Sequence, residues 1–220
     1  MELLAKTIAV YAIPMILAIT LHEAAHGFVA KYFGDPTAYR LGRVSLNPIR
    51  HIDPVGTILV PLLILMTSKM MGGAGFLFGW AKPVPVNYFA LRKPKEHMLW
   101  VAAAGPGSNL VQALLWAVLL KVVVSVPDGQ FSDFMAQIGQ AGIVVNIVLM
   151  VLNLIPILPL DGGRIALSLM PDRLARSYAR LEPYGLPILL LILVADAQFR
   201  ILGPLFEGAT DVVFGLFRFS

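Results

Sequence analysis

Long apolar runs, separated by short polar stretches, make up most of this chain. The runs lie at 7–31, 55–80, 97–126, 138–160 and 184–217. A helix needs about 20 mostly apolar residues to cross a hydrocarbon layer of roughly 30 Å, and each run is long enough in whole or in part. The pattern predicts an all-α polytopic membrane protein with about four to six transmembrane or re-entrant helices.

The composition agrees with this pattern. Of the 220 residues, 58% are hydrophobic and 14% are charged, and the mean hydropathy of +0.78 lies far from the balance of a soluble domain. We expect a single integral-membrane domain over 1–220, with a core at 7–165 and C-terminal membrane helices at 184–217. The chain contains no cysteine, so any metal site must use nitrogen and oxygen ligands.

Basic residues gather in three polar stretches, and their positions carry more information than the net charge of +4. The stretches are 31–50, 82–95 and 164–180. By contrast, 125–137 contains two aspartates and no lysine or arginine. The positive-inside rule therefore places the three basic stretches in the cytoplasm and 125–137 outside the cell membrane. Because the arginines lie beside spans rather than on one groove-sized face, nucleic acid is not expected as a partner.

The apolar run 55–80 has cytoplasmic charge on both sides. It is therefore expected to enter and leave the membrane on the same side, as a re-entrant loop or hairpin that turns near 71–73. The polar segment 36–53, with turn signals at Asn47-Pro48 and Asp53-Pro54, predicts short strands and turns. We expect these to form a small β element at the cytoplasmic face.

The sequence GWAKPVPVN, at 79–87, predicts an extended segment with one open edge. Its two prolines remove alternate backbone donors, so that edge cannot pair, while Val84 and Val86 keep their N–H groups on the other edge. An extended substrate peptide can join that edge as an added strand. The alternative is pairing with a strand of the same chain near 40–46, and both pairings fit in one sheet.

The segment LHEAAHGFVA, at 21–30, carries ionisable residues inside an apolar run. His22 and His26 are four residues apart, so on a helix their imidazoles project side by side and can bind one metal ion. Glu23 is placed to deprotonate a water at that metal. Each ionisable group costs about 2.5–3.5 kcal/mol at the centre of a membrane. The alternative is a hydrogen-bonded polar cluster that holds helices together.

Asp161 is the best candidate for a third ligand. It follows NLIPILP at 153–159, where two prolines make a regular helix improbable, and Gly162 and Gly163 let the backbone turn closely. A catalytic zinc ion usually has three protein ligands and an open position for water. The alternative role for Asp161 is a helix cap at the membrane boundary.

Three motifs together strongly resemble the site-2 protease family of intramembrane zinc metalloproteases, peptidase family M50. They are HEAAH at 22–26, AGPGSN at 104–109 and NLIPILPLDGG at 153–163. The resemblance covers roughly 20–165 and is to a compact branch without a PDZ domain. The chain departs from the better-known members in the apolar run 55–80, so the route of the substrate to the site stays open.

The resemblance implies a ligand set and a reaction. His22, His26 and Asp161 would hold one zinc ion per chain, Glu23 would be the catalytic acid and base, and Asn153 would lie near the scissile carbonyl. The expected function is a zinc-dependent endopeptidase in the lipid bilayer. It would cut within or near the transmembrane segment of single-span client proteins, as in regulated intramembrane proteolysis, from a site that opens toward the cytoplasm.

Three further polar residues have two interpretations each. His51 and Asp53 can line a polar channel or support the metal ligands, or they can form a local hydrogen-bonded turn. Asn109 can orient a metal ligand or bond across helices. The sequence does not indicate the client protein or the oligomeric state.

Two other functions are compatible with ionisable residues in the membrane. A metal-binding transporter or sensor also needs them, but it does not explain the glutamate beside His22. An inactive scaffold of the same fold is expected to have lost part of HEAAH or LDG, and both motifs are intact. The endopeptidase is therefore the leading hypothesis.

Overall fold

A computed structural model describes residues 2–53, 55–56, 82–127 and 129–217. Within these ranges the chain forms eight α-helices and two short 3-10 turns, at Pro48–His51 and Tyr88–Ala90. The helices are α1 (Glu2–Tyr32), α2 (Thr37–Arg40), α3 (Pro94–Val123), α4 (Gln130–Leu154), α5 (Asp161–Leu169), α6 (Asp172–Ala179), α7 (Glu182–Phe199) and α8 (Gly203–Leu216).

Three helices in the described ranges are long and apolar enough to cross a membrane. They are Lys6–Tyr32 within α1, Pro94–Val123 and Gln130–Leu154. The pair α6 and α7 passes the same test only when it is taken as one span bent by 67°. The predicted polytopic helical architecture agrees with these three or four spans, while the predicted re-entrant run 55–80 lies almost wholly outside the described residues.

Small side chains allow the spanning helices α3 and α4 to approach closely. A Cβ on Gly142 of α4 would lie 2.3 Å from a ring atom of Trp116 on α3, so the contact requires glycine. Ala113 and Ala117 of α3 are fully buried in a cluster with Ile143 of α4. Close van der Waals contact of this kind holds helices together in lipid. Lipid tails are as apolar as the side chains, so moving a side chain from lipid into a helix interface gains little hydrophobic free energy.

The prediction of a small β element is wrong for the described residues. Within 36–53 the chain forms the short helix α2 and a 3-10 turn. Residues 82–87 belong to no helix or strand of the described structure, and Asn87 at their end has extended backbone angles. Below, 82–87 is called the extended segment.

Charged side chains take the place of a partner strand along the extended segment. Arg43 donates to the Lys82 carbonyl at 2.6 Å. Glu23 accepts the N–H of Val84 at 2.7 Å. Asp35 accepts the N–H of Asn87 at 2.6 Å. Pro83 and Pro85 have no N–H to donate on the other edge. Apart from the Lys82 N–H, which donates to the His51 carbonyl, the segment is therefore held by single contacts with side chains and not by a regular ladder of backbone hydrogen bonds.

The C-terminal helices pack on the same spanning helices. α8 lies against α3 and α4, where Val213 joins the cluster that contains Ala113. At the far end of α3, Lys121 Nζ donates to the Phe217 carbonyl at 3.0 Å. α7 contributes Leu189 to a separate apolar cluster. These contacts attach the C-terminal region to the helices that carry the candidate site.

Candidate metal centre

Two histidines and an aspartate converge inside the helix bundle. His22 and His26 lie one turn apart on α1, and Asp161 is the first residue of α5. The two Nε2 atoms are 3.1 Å apart, and Asp161 Oδ2 lies 3.2 Å from the first and 3.3 Å from the second. All three side chains are buried. In the part of the chain that the structure describes, they are the only group of three or more acidic, histidine or cysteine side chains with the spacing of a metal site.

The local sequence explains how Asp161 reaches α1. α4 ends at Leu154, two residues before Pro156, because a proline cannot continue the helix. After a short turn the chain starts α5, and two glycines follow the aspartate. A Cβ on Gly162 would lie 2.2 Å from the Leu154 carbonyl oxygen. Only glycine lets α5 begin this close to the end of α4, and Asp161 is thereby brought to the two histidines.

The hydrogen bonds at the other ring nitrogens fix the tautomers of the two histidines. His26 Nδ1 lies 2.7 Å from the Val101 carbonyl oxygen. A carbonyl oxygen only accepts, so Nδ1 carries a proton, and in the neutral imidazole Nε2 keeps a free lone pair. His22 Nδ1 lies 2.6 Å from Asn109 Oδ1, and the same assignment applies there. Both Nε2 lone pairs then point toward Asp161.

This arrangement of acceptors fits a metal cation. Two Nε2 atoms and a carboxylate oxygen face one another at hydrogen-bond distance, yet the neutral tautomers have no proton to share between them. Asp161 Oδ2 is buried and has no hydrogen-bond donor among the described residues. A divalent cation would satisfy all three acceptors. Two histidines, one carboxylate and an open fourth position are typical of catalytic zinc.

Gly105 of α3 leaves space beside these acceptors. A Cβ at this position would lie 2.4 Å from His26 Nε2 and 2.6 Å from His22 Nε2. The hydrogen atom of glycine is the only side chain that keeps this volume open. The space next to the ligand atoms is therefore set by α3 as well as by α1 and α5.

The carboxylate of Glu23 is in contact with the extended segment. Glu23 is partly buried on α1, and its Oε2 accepts the Val84 N–H at 2.7 Å. Gly27, one turn further along α1, makes this approach possible, because a Cβ there would lie 3.2 Å from Val84 Cγ1. Glu23 thus links the helix that carries the two histidines to the extended segment.

Part of the edge predicted to receive a substrate strand is occupied within the chain. The Val84 N–H is bonded to Glu23, and the Lys82 N–H donates to the His51 carbonyl at 2.9 Å. The Val86 side chain packs against an apolar cluster that includes Leu91. In this structure, a peptide that joins the edge has to displace existing hydrogen bonds.

The structure places the other predicted site residues outside the group of three ligands. Asn153, in the last turn of α4, donates through Nδ2 to the Leu149 carbonyl at 3.0 Å. His51 Nε2 lies 2.9 Å from the Ser45 carbonyl oxygen. Asp53 accepts the N–H of Gly56 at 2.7 Å. The contacts of His51 and Asp53 agree with local turns, and a role in a channel stays a prediction.

Two residues at the site are not among the sequence predictions. Asn146 of α4 is fully buried and bonds to Asn109 at 2.9 Å, and Arg43 holds the extended segment. A signal for Asn146 exists in the sequence, because it is the only polar side chain in the apolar run 141–152. No local signal separates Arg43 from the other basic residues of its stretch.

Comparisons with known proteins find one matching family model and several similar proteins. The family model described as Peptidase family M50 matches residues 121–195. The chain is 36% identical over 208 residues to "Putative zinc metalloprotease YwhC" of Bacillus subtilis. The aligned region covers 93% of this chain and 89% of that protein. The chain is 31% identical over 186 residues to "Putative zinc metalloprotease Rip2" of Mycolicibacterium smegmatis, over 84% of this chain and 66% of the relative. No solved structure matches the chain significantly.

Proposed function

This chain belongs to peptidase family M50, and we propose that it is a zinc-dependent intramembrane endopeptidase of the site-2 protease type. It hydrolyses peptide bonds within or near the transmembrane segments of client proteins in the lipid bilayer. The observation that carries this proposal is the convergence of two imidazole nitrogens from α1, a helix long and apolar enough to span a membrane, with the Asp161 carboxylate of α5. Glu23 directly follows His22 on α1.

His22, His26 and Asp161 are the proposed ligands of one zinc ion per chain. Their three facing acceptors, and the open volume beside Gly105, support this assignment. Zinc bound by these three residues would supply Lewis-acid chemistry, polarising the scissile carbonyl and lowering the pKa of a water molecule toward about 7.

Glu23 is the proposed general base and acid. Its carboxylate accepts a proton from the attacking water, the water oxygen bonds to the carbonyl carbon, and the proton then passes to the nitrogen of the leaving amine as the C–N bond breaks. Asn153 is the proposed donor to the developing oxyanion. One hydrogen of its amide bonds to the Leu149 carbonyl, and the second is available for this role.

The contact between Glu23 and Val84 connects substrate docking to this chemistry. The Val84 N–H binds one oxygen of Glu23 and fixes the direction in which the carboxylate points, while the other lone pairs of the carboxylate can still accept a proton. A substrate carbonyl that accepts the Val84 N–H would replace the carboxylate and release it. We therefore assign the edge that contains Val84 and Val86 to substrate docking, with the release of Glu23 as its consequence.

An active site open to the cytoplasm is supported by contacts among the three basic stretches. Arg43 in the first binds the Lys82 carbonyl in the second at 2.6 Å. Lys95 in the second binds Asp172 in the third at 2.6 Å. The three stretches therefore lie at one end of the bundle, and basic residues favour the cytoplasmic face.

Cleavage mapping tests the proposed function. Purified protein in detergent is incubated with a panel of single-span peptides, and the products are identified by mass spectrometry with and without a chelator. We expect cuts in or near the transmembrane segment that the chelator and His22→Ala abolish. His97→Ala is the matched control, because His97 stacks on Phe33 and takes no part in the group of ligands. Cleavage that is insensitive to both the chelator and His22→Ala would contradict the proposal.

A further inference from the structure

A chain of buried amides connects the candidate metal ligand His22 to α4. Asn109 of α3 lies between the two, with Oδ1 at 2.6 Å from His22 Nδ1 and Nδ2 at 2.9 Å from Asn146 Oδ1. Asn109 Nδ2 is also 3.3 Å from the Ala18 carbonyl oxygen. Asn109 and Asn146 are both fully buried. An amide in a membrane-spanning bundle costs free energy unless its donors and acceptors are satisfied.

The protons along this chain have one consistent assignment, which starts from its two backbone ends. The Gly142 carbonyl lies 2.9 Å from Asn146 Nδ2 and only accepts, so the Asn146 amide nitrogen faces it and its Oδ1 faces Asn109. Asn109 must then donate through Nδ2 to Asn146 and to the Ala18 carbonyl. Its Oδ1 is left as an acceptor for His22, and His22 Nδ1 carries the proton.

We propose that Asn109 is a positioning residue that sets the tautomer and ring orientation of His22, and that Asn146 fixes the orientation of the Asn109 amide. This inference rests on the proposed zinc site, and it assigns to Asn109 no contact with the metal. With the proton held on Nδ1, the Nε2 lone pair faces Asp161. If the amide were reversed, an N–H would face Nδ1 and favour the tautomer with its proton on Nε2, and that nitrogen could then not bind a metal.

The two histidines differ in how their orientation is secured. His26 Nδ1 donates to a backbone carbonyl, that of Val101, and no side-chain substitution removes that acceptor. His22 depends on the side chain of Asn109. A partner that orients a histidine ligand typically contributes ~10–100-fold to metal affinity. Substitution of Asn109 is therefore expected to weaken metal binding, whereas substitution of Val101 leaves its carbonyl in place.

The variants that test this inference separate orientation of His22 from simple helix packing. Asn109→Leu removes the acceptor and the donors together. Asn109→Asp keeps an acceptor for His22 Nδ1 but loses the donors to Ala18 and Asn146. Gln112→Leu is the matched control, because Gln112 is a buried amide one turn further along α3 whose side-chain N and O have no partner among the described residues.

Two measurements on each purified protein give the readouts. Zinc affinity is determined by competition with a chelator, and the tautomer of His22 is read from the 15N shifts of labelled imidazoles in the metal-free protein. We expect Asn109→Leu to bind zinc ~10–100-fold more weakly and to lose the uniform Nδ1–H tautomer at His22. Asn109→Asp should bind more tightly than Asn109→Leu, and Gln112→Leu should match the wild type in both readouts.

The outcomes distinguish this inference from the proposed function. If Asn109→Leu binds zinc as tightly as the wild type, or keeps the Nδ1–H tautomer at His22, Asn109 only joins helices and the inference is overturned. If Gln112→Leu weakens zinc binding as much as Asn109→Leu does, the effect is one of packing and the inference is also overturned. A wild-type protein that binds no zinc would instead contradict the proposed function itself.

Discussion

The backbone N–H of Val84 donates to the carboxylate of Glu23 at 2.7 Å, across 61 residues of sequence. This bond joins the motif helix α1 to an extended segment whose prolines prevent pairing on the opposite edge. It also binds one oxygen of the carboxylate that the proposed reaction needs as a base. The stability of the extended segment in its position therefore bears directly on the availability of Glu23.

Removal of Arg43 should loosen the extended segment. The Arg43 guanidinium donates to the Lys82 carbonyl at 2.6 Å, and a hydrogen bond to a charged group contributes about 1.5–3 kcal/mol, a factor of roughly ten or more in an equilibrium. A cysteine at Val84, which is buried, should react with a thiol reagent several-fold faster in Arg43→Ala. The labelling rate is measured in a chain that otherwise has no cysteine.

Arg50→Ala is the control for this experiment. Arg50 also donates to a backbone carbonyl, that of Gly42, but it does not contact the extended segment. It should leave the labelling rate unchanged. Equal rates for Arg43→Ala and the parent would show that Arg43 does not hold the segment in place.

Asp161→Ala should remove most of the bound zinc, because two histidines alone leave the proposed site one ligand short. Metal analysis of purified protein should give about one zinc per chain for the wild type and far less for the variant. Asp172→Ala is the matched control, since Asp172 is an exposed carboxylate paired with Lys95. Full zinc content in Asp161→Ala would exclude Asp161 as a ligand.

Gly105→Ala should block the metal site without unfolding α3. The new Cβ would lie 2.4 Å from His26 Nε2, whereas alanine favours a helix over glycine by about 1 kcal/mol. We expect zinc binding to be lost while the circular dichroism spectrum stays helical. Gly107→Ala adds a Cβ with no atom within 4 Å and should bind zinc normally. Equal zinc binding by the two variants would mean that Gly105 does not border the metal.

The long helices and the candidate ligands were accessible from the sequence for different reasons. The apolar runs that predict spans near 7–31 and 97–126 depend only on local hydropathy, and α1 and α3 follow them closely. His22 and His26 are four residues apart, so their proximity follows from helix geometry. Asp161 was identified by its motif, because nothing local indicates that residue 161 returns to α1.

The extended segment and the buried amides depend on contacts that sequence periodicity does not report. The pattern of alternate prolines predicts an edge for pairing, and the structure binds two N–H groups of that edge with the Glu23 carboxylate and the His51 carbonyl instead of a strand. Asn109 and Asn146 are 37 residues apart, and their bond arises only when α3 and α4 pack together. Contacts between residues this far apart in sequence can be identified only from the packed structure.

The predicted topology can be tested with single cysteines. Residues 45, 87 and 177 lie in the three basic stretches. Cysteines there should be shielded from an impermeant reagent in intact cells, because the positive-inside rule predicts that these stretches face the cytoplasm. A cysteine at Ser132, near the start of α4, should react. Labelling of position 87 from outside would contradict the cytoplasmic orientation of the extended segment.

The central claim is that Glu23 acts as the base beside a zinc site formed by other residues. Glu23→Gln keeps an acceptor for the Val84 N–H and leaves the three proposed ligands untouched, so the variant should retain about one zinc per chain. General acid and base catalysis typically contributes ~10²–10⁴-fold, and cleavage of a transmembrane substrate should fall by at least that range. The decisive measurement determines bound zinc and cleavage rate in the same preparation of Glu23→Gln. The account predicts full zinc with cleavage lost, and full zinc with cleavage at the wild-type rate would contradict it.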